Sequence, residues 1–201
     1  MKIFKICLMV LLFVVFGFQK GFCSQGLEGL KEKGLREIGF FSGRGKANLK
    51  DKADYELIPA GVRLAFDMKP FIKDIKFKDK YLDIKGSLDL LFEPYLAAIT
   101  SPDPNFECGT GFLLRYGYKI DNFFPFVETG TGFQWTSQHT REEGTQFCFQ
   151  LQGGCGFYYF FAENQAVNFG YRFRHFSNRN IKQPNTGIDV HMLLIGVSTF
   201  F

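Results

Sequence analysis

Between residues 57 and 118, apolar and polar side chains alternate one for one through three successive stretches, and the polar set combines glycine with charges of both signs. In 57–69, Ile58, Ala60, Val62, Leu64, Phe66 and Met68 share one parity against Gly61, Arg63, Ala65 and Asp67. In 82–93, Leu82, Ile84, Leu88, Leu90 and Phe92 stand against Asp83, Lys85, Ser87, Asp89 and Glu93. In 106–118, Phe106, Cys108, Thr110, Phe112, Leu114, Tyr116 and Tyr118 oppose Glu107, Gly109, Gly111, Leu113, Arg115 and Gly117. Period two is the signature of a strand with two unlike faces. No stretch after residue 23 holds 18 consecutive apolar residues, so none has the length of a helical membrane span.

The chain opens with Lys2 and Lys5 and then an apolar run, Ile6–Phe18, too short for a spanning helix, which needs about 20 residues. This is the pattern of a secretory signal peptide, with cleavage expected after Gly21-Phe22-Cys23, at Ser24. Phe22 stands where a lipoprotein would carry a small residue, which argues against lipidation of Cys23. Residues 24–201 then suffice for one domain. Loss of Lys2, Lys5 and Lys20 takes the formal charge from +4 to +1, which removes any charge argument for nucleic-acid binding. Cys108, Cys148 and Cys155 cannot all pair, and their spacing matches no metal motif. One disulfide is open to them; free thiols fit better.

Eight strand-like stretches follow the leader, at about 35–47, 55–69, 81–96, 106–119, 123–138, 145–160, 165–176 and 187–201. Asp121-Asn122 and Glu163-Asn164 read as tight turns, whereas Pro102–Asn105 and Asn178–Gly187 read as loops. Short turns at one end and longer loops at the other are the habit of membrane barrels. The Pro70–Lys80 connection does not fit that scheme.

Alternation alone allows two arrangements. A soluble sandwich or lipocalin-like barrel would put the apolar face inward; a membrane barrel would put it outward and fill its lumen with glycine and paired charges. The C-terminus favours the second. Phe201, Thr199, Val197, Ile195 and Leu193 share one face, and a terminal Phe preceded by alternating apolar residues is similar to the closing strand of outer-membrane proteins. The expected fold is therefore all-β: an eight-stranded antiparallel transmembrane β-barrel of the outer membrane.

On that reading the seventh strand becomes chemically informative. Phe169, Tyr171, Phe173, His175 and Ser177 share the lipid-facing parity, while Arg172 and Arg174 point into the lumen. A hairpin register that sets His175 opposite Asp189 also sets Phe173 opposite His191, Tyr171 opposite Leu193 and Phe169 opposite Ile195. Opposed residues have Cβ atoms about 4.5–5.5 Å apart. His175 would then reach both the Ser177 hydroxyl and the Asp189 carboxylate, the order of nucleophile, base and orienting acid. Each residue also has an ordinary role. Serine after a strand commonly serves a turn, histidine at a bilayer rim is commonly interfacial, and Asp189 follows the turn-forming Asn185-Thr-Gly187. Convergence of all three on a lipid face is harder to attribute to those roles, because a carboxylate there is costly without a partner.

His175-Phe-Ser177-Asn178, followed by Pro184-Asn185-x-Gly187-x-Asp189, resembles the signature of the lipid A 3-O-deacylase (PagL-type, acyloxyacyl hydrolase) family, and Leu35-Arg-Glu-Ile-Gly-Phe-Phe-Ser-Gly adds to the likeness. The resemblance implies an esterase that removes the 3-hydroxyacyl chain from the 3-position of lipid A. His175 would be the base and Ser177 the nucleophile, with Asn178 or a backbone amide of the following loop contributing to the oxyanion hole. Asp189 stands where the best-known members carry Glu, one methylene shorter.

No cofactor or metal is expected: His139 and His191 show no ligand spacing. His191 reads as interfacial, and Glu128 as a lumenal partner of Arg172 or Arg174. The expected partners are lipopolysaccharide and outer-membrane lipid, with a homodimer also compatible. A non-enzymatic outer-membrane barrel, structural or adhesive, is the alternative, followed by a soluble carrier of a hydrophobic ligand.

Overall fold

In the computed structural model, which describes residues 24–201 apart from 33, 50–53, 73–75, 78–79 and 82–84, helix α1 (Ser24–Glu32) precedes β1 (Leu35–Asn48) and β2 (Asp54–Asp67). A short helix α2 (Lys69–Ile72) and the two-residue strands β3 (Lys76–Phe77) and β4 (Lys80–Tyr81) follow. The remaining strands are β5 (Ser87–Ser101), β6 (Asn105–Gly117), β7 (Phe123–Thr136), β8 (Phe147–Ala162), β9 (Gln165–Ser177) and β10 (Ile188–Phe200). The eight long strands form one closed antiparallel barrel in the order β1-β10-β9-β8-β7-β6-β5-β2. The barrel unit runs from Leu35 to Phe201, and α1 falls outside it. The expected signal peptide, residues 1–23, lies outside the described residues.

Seven of the eight expected strands fall within a few residues of their observed positions. The third does not: it was expected at 81–96 and runs from Ser87 to Ser101. Alternation continues upstream of Ser87, but the hydrogen-bonding partner does not, because Ser87 pairs with Gly117, the last residue of β6. Gly86, with φ +90°, turns the chain into the strand. The connection 68–86 is occupied by α2 and the β3–β4 hairpin, at the same end of the barrel as the two-residue turn Glu163-Asn164. The expected loop at Pro102–Asn105 shortens to 102–104. The longer loops 137–146 and 178–187 share the opposite end.

The faces are inverted relative to a soluble protein. Arg63, Glu93, Glu107, Arg115, Glu128, Arg172 and Arg174 are buried, while Ile58, Leu96, Leu114, Val127, Leu151 and Leu193 are exposed. At the lumen's waist, Arg172 bonds Glu128 through Nε at 2.8 Å and also meets Glu93, which Arg63 shares. Toward the β9–β10 loop, Arg174 pairs with Glu107 at 2.7 Å, and Tyr55 donates to the same carboxylate at 3.0 Å. Toward the termini of the sheet, Arg115 joins Asp89 at 2.9 Å and Glu37 at 2.6 Å. Mutual pairing offsets the desolvation that each charge would otherwise suffer. Phe41, Leu57, Ile99, Phe176 and Val190 close one end of this network, and Phe124, Phe126, Tyr158 and Phe160 the other. The barrel is thus a filled cylinder with an apolar wall, suited to lipid on its outside.

Candidate active site

Strand β9 ends at Ser177 and β10 begins at Ile188, so loop 178–187 joins the two strands that carry the expected residues. The register pairs His175 with Asp189, Phe173 with His191, Tyr171 with Leu193 and Phe169 with Ile195. All of these side chains stand on the outer wall, at the end of the barrel where the longer loops lie.

His175 and Asp189 are joined directly: the imidazole Nδ1 lies 2.6 Å from the carboxylate Oδ1. The side chains are 40% and 60% exposed, so a molecule outside the barrel reaches both. An aspartate therefore closes the distance across a cross-strand pair without the extra methylene of glutamate. With the carboxylate accepting, Nδ1 carries the shared proton, and Nε2 is the ring nitrogen outside this bond. Ser177 lies two residues further along the same face, half-buried, with Phe149 across the β8–β9 ladder. No hydrogen bond joins its hydroxyl to His175. The structure thus brings base and acid together and leaves the hydroxyl nearby but unbonded.

Asn178, expected as an oxyanion donor, is fully buried, and its donors are committed within its own loop and to Glu143. Its backbone N–H donates to Glu143 Oε2 at 2.8 Å and to Asn185 Oδ1 at 2.9 Å. Its side-chain amide donates to the carbonyls of Lys182 and Pro184, at 2.8 and 3.0 Å. In this geometry Asn178 organises the loop and has no N–H left for a ligand. The next two residues, Arg179 and Asn180, both take positive φ, at 52° and 65°.

Two further positions shape the site: Gly187, known from the sequence only as a turn and motif residue, and Glu143, which the sequence did not point to. Gly187 has φ +75°, and a Cβ there would strike the His175 imidazole at Cε1 and come within 2.9 Å of Nε2. Both the backbone and the close approach of the ring require glycine. Glu143, from loop 137–146, accepts the N–H groups of Asn178 and Gly187. Gly187 was legible as part of the Asn-x-Gly motif. Glu143 lies on another hairpin, and nothing in the local sequence joins the two loops.

The surroundings place the site where the apolar wall ends. Tyr171 Oη is 2.6 Å from His191 Nδ1, which gives the expected interfacial histidine a partner on the same face. On the neighbouring strands, exposed Arg44 pairs with Glu56 at 2.7 Å, and Lys46, which lies opposite His191, pairs with Asp54 at 2.9 Å. Below this belt the β10 wall is Leu193, Ile195 and Val197, all exposed. Cys108, Cys148 and Cys155 are free thiols. No cluster of three or more metal-ligating side chains occurs among the described residues.

The sequence model of the lipid A 3-O-deacylase (PagL) family matches residues 60–198. Lipid A deacylase PagL of Pseudomonas aeruginosa is 36% identical over 81 residues, a stretch that is 39% of this chain and 44% of that protein. Among solved structures, the outer membrane enzyme PagL aligns with a TM-score of 0.54 at 20% identity, over 80% of this chain and 97% of its own. Neisserial surface protein A aligns with a TM-score of 0.58 at 14% identity, over 83% and 97%. At these identities the two structures establish the fold.

Proposed function

The chain belongs to the lipid A 3-O-deacylase (PagL) family, and on that footing we propose that it is an outer-membrane esterase that hydrolyses the ester-linked 3-hydroxyacyl chain at the 3-position of lipid A. The observation that carries this reading is the His175–Asp189 hydrogen bond on the outer wall, with an unbonded serine hydroxyl two residues along the same face. Ser177 Oγ attacks the ester carbonyl while His175 Nε2 takes its proton. Asp189 holds the imidazole through Nδ1 and stabilises the imidazolium. Collapse of the tetrahedral intermediate expels the sugar hydroxyl, which receives the proton from His175. Water, activated by the same imidazole, then releases the fatty acid from Ser177.

In a ligand-free site a nucleophile–base contact is commonly long and tightens when substrate binds. Asn178 acts here as a support. The oxyanion donor is a backbone amide of the loop that follows, where Arg179 and Asn180 have positive φ. The change from apolar wall to charged belt at Arg44, Lys46 and His191 suits a substrate whose ester carbonyls lie just beneath a charged headgroup. The rival reading, a non-enzymatic barrel that keeps the pair as interfacial polar groups, draws on the absent Ser177–His175 hydrogen bond.

Incubation of the purified protein with lipopolysaccharide, followed by mass measurement of lipid A, separates the two. Loss of one 3-hydroxyacyl group, abolished in Ser177→Ala and His175→Ala, supports the esterase. Unchanged lipid A with folded wild-type protein rejects it.

A further inference from the structure

The geometry points to Glu143 as a positioning residue for the site, acting from a different hairpin, and this rests on the esterase reading above. Its carboxylate spans the mouth of the β9–β10 loop. Oε2 accepts the N–H of Asn178 at 2.8 Å, and Oε1 accepts the N–H of Gly187, also at 2.8 Å. These are the first and last residues of loop 178–187. Asn178 follows the hydroxyl-bearing Ser177. Gly187 packs against the His175 imidazole and precedes Asp189 by two residues. One side chain thus sets the separation of the two chain ends on which all three reacting groups are mounted.

The attachment is reinforced around Glu143, and at the Asn178 N–H it is shared with Asn185 Oδ1 at 2.9 Å. Thr186 N–H donates to Glu142 O at 2.9 Å, Gly144 N–H donates to Pro184 O at 2.6 Å, and Glu143 forms an isolated bridge with Asn185. These contacts hold the middle of the loop against 142–144. The Glu143 carboxylate engages both ends at once. Glu143 is itself buried, and the Cys148 thiol beneath it donates to Oε2 at 3.7 Å. Its demand for two acceptor oxygens is specific. Glutamine is isosteric but presents an NH2 to one of the two N–H donors, which leaves the Gly187 N–H unpaired or leaves the Asn178 N–H to Asn185 alone.

Displacement of reacting groups by even 1 Å is costly to rate. Glu143→Gln is therefore expected to migrate on gels as a folded barrel and to lower kcat by about tenfold or more, with KM changed less than about twofold. The second readout does not depend on turnover. The downfield Nδ1 proton resonance of His175, held by Asp189 in the wild type, weakens or shifts in Glu143→Gln. Should that variant not fold, Glu143→Asp, which keeps two acceptors on a shorter stem, is measured in the same way. A kcat within twofold of wild type in the folded variant, or an unaltered His175 resonance, overturns the proposal. If wild-type protein releases no acyl chain, the esterase reading fails by itself, and the resonance alone then judges the positioning role.

Discussion

Asp189 stands directly across the β9–β10 ladder from His175, and its Oδ1 lies 2.6 Å from the imidazole Nδ1. The pairing is a property of strand register, which one backbone ladder fixes for both residues. Asp189→Asn keeps the size but loses the charge and the acceptor that holds the tautomer. We expect it to lower kcat by about 10⁴-fold while the barrel remains folded. Asp189→Glu adds a methylene to a contact that is already closed, and is expected to give no rate above wild type. A faster Glu variant would show that the short acid limits the reaction. Both are read from release of 3-hydroxy fatty acid.

Gly187→Ala places a Cβ into the His175 ring at a residue with φ +75°. The strain is about 1–3 kcal/mol, and it falls on the loop rather than the barrel. The expected result is a large loss of deacylation with ordinary heat-modifiable migration. Full activity in this variant would show that the imidazole is free to move away.

The lumen supplies a prediction of the opposite kind. Arg172 is buried between Glu93 and Glu128. Arg172→Met leaves both carboxylates without that partner and is expected to destabilise the barrel by about 3–5 kcal/mol. The measurement is urea unfolding in detergent or bilayers. At temperatures where the variant is folded, activity should persist, because the site lies on the other side of the wall.

Val127 tests the inversion itself. It is 57% exposed on β7, two strands around the barrel from the one that carries His175. Val127→Lys puts a charge on the apolar wall and is expected to cost about 2–4 kcal/mol if the position lies near the bilayer midplane. A soluble protein would accept the same change with little effect.

Much of this was readable in the chain because period two carries two kinds of information at once. Parity told which side chains share a face, and the face of Phe201 told which side was which. The β9–β10 register came from setting His175 opposite Asp189, which matched Tyr171 and Phe169 with apolar partners, and the ladder pairs the same residues. Strand ends were less legible. Alternation runs on through residues 82–86, but a strand stops where its partner stops, and Gly117 is remote in sequence from Ser87. The role of Asn178 was hidden for a related reason: an amide side chain looks like a ligand donor until the loop carbonyls that occupy it, those of Lys182 and Pro184, are in view. Glu143 was invisible, since its hold on the loop depends on the meeting of two hairpins.

On the esterase reading, the filled lumen governs the kinetics as well as the fold. With Arg63, Arg115, Arg172 and Arg174 and their acids occupying the interior, no substrate passes through the barrel, and the outward-facing site is met only from the side. Encounter is then a two-dimensional process. The governing variable is the mole fraction of substrate in the surrounding leaflet, so inert lipid at constant total substrate slows turnover by surface dilution, whatever the bulk concentration.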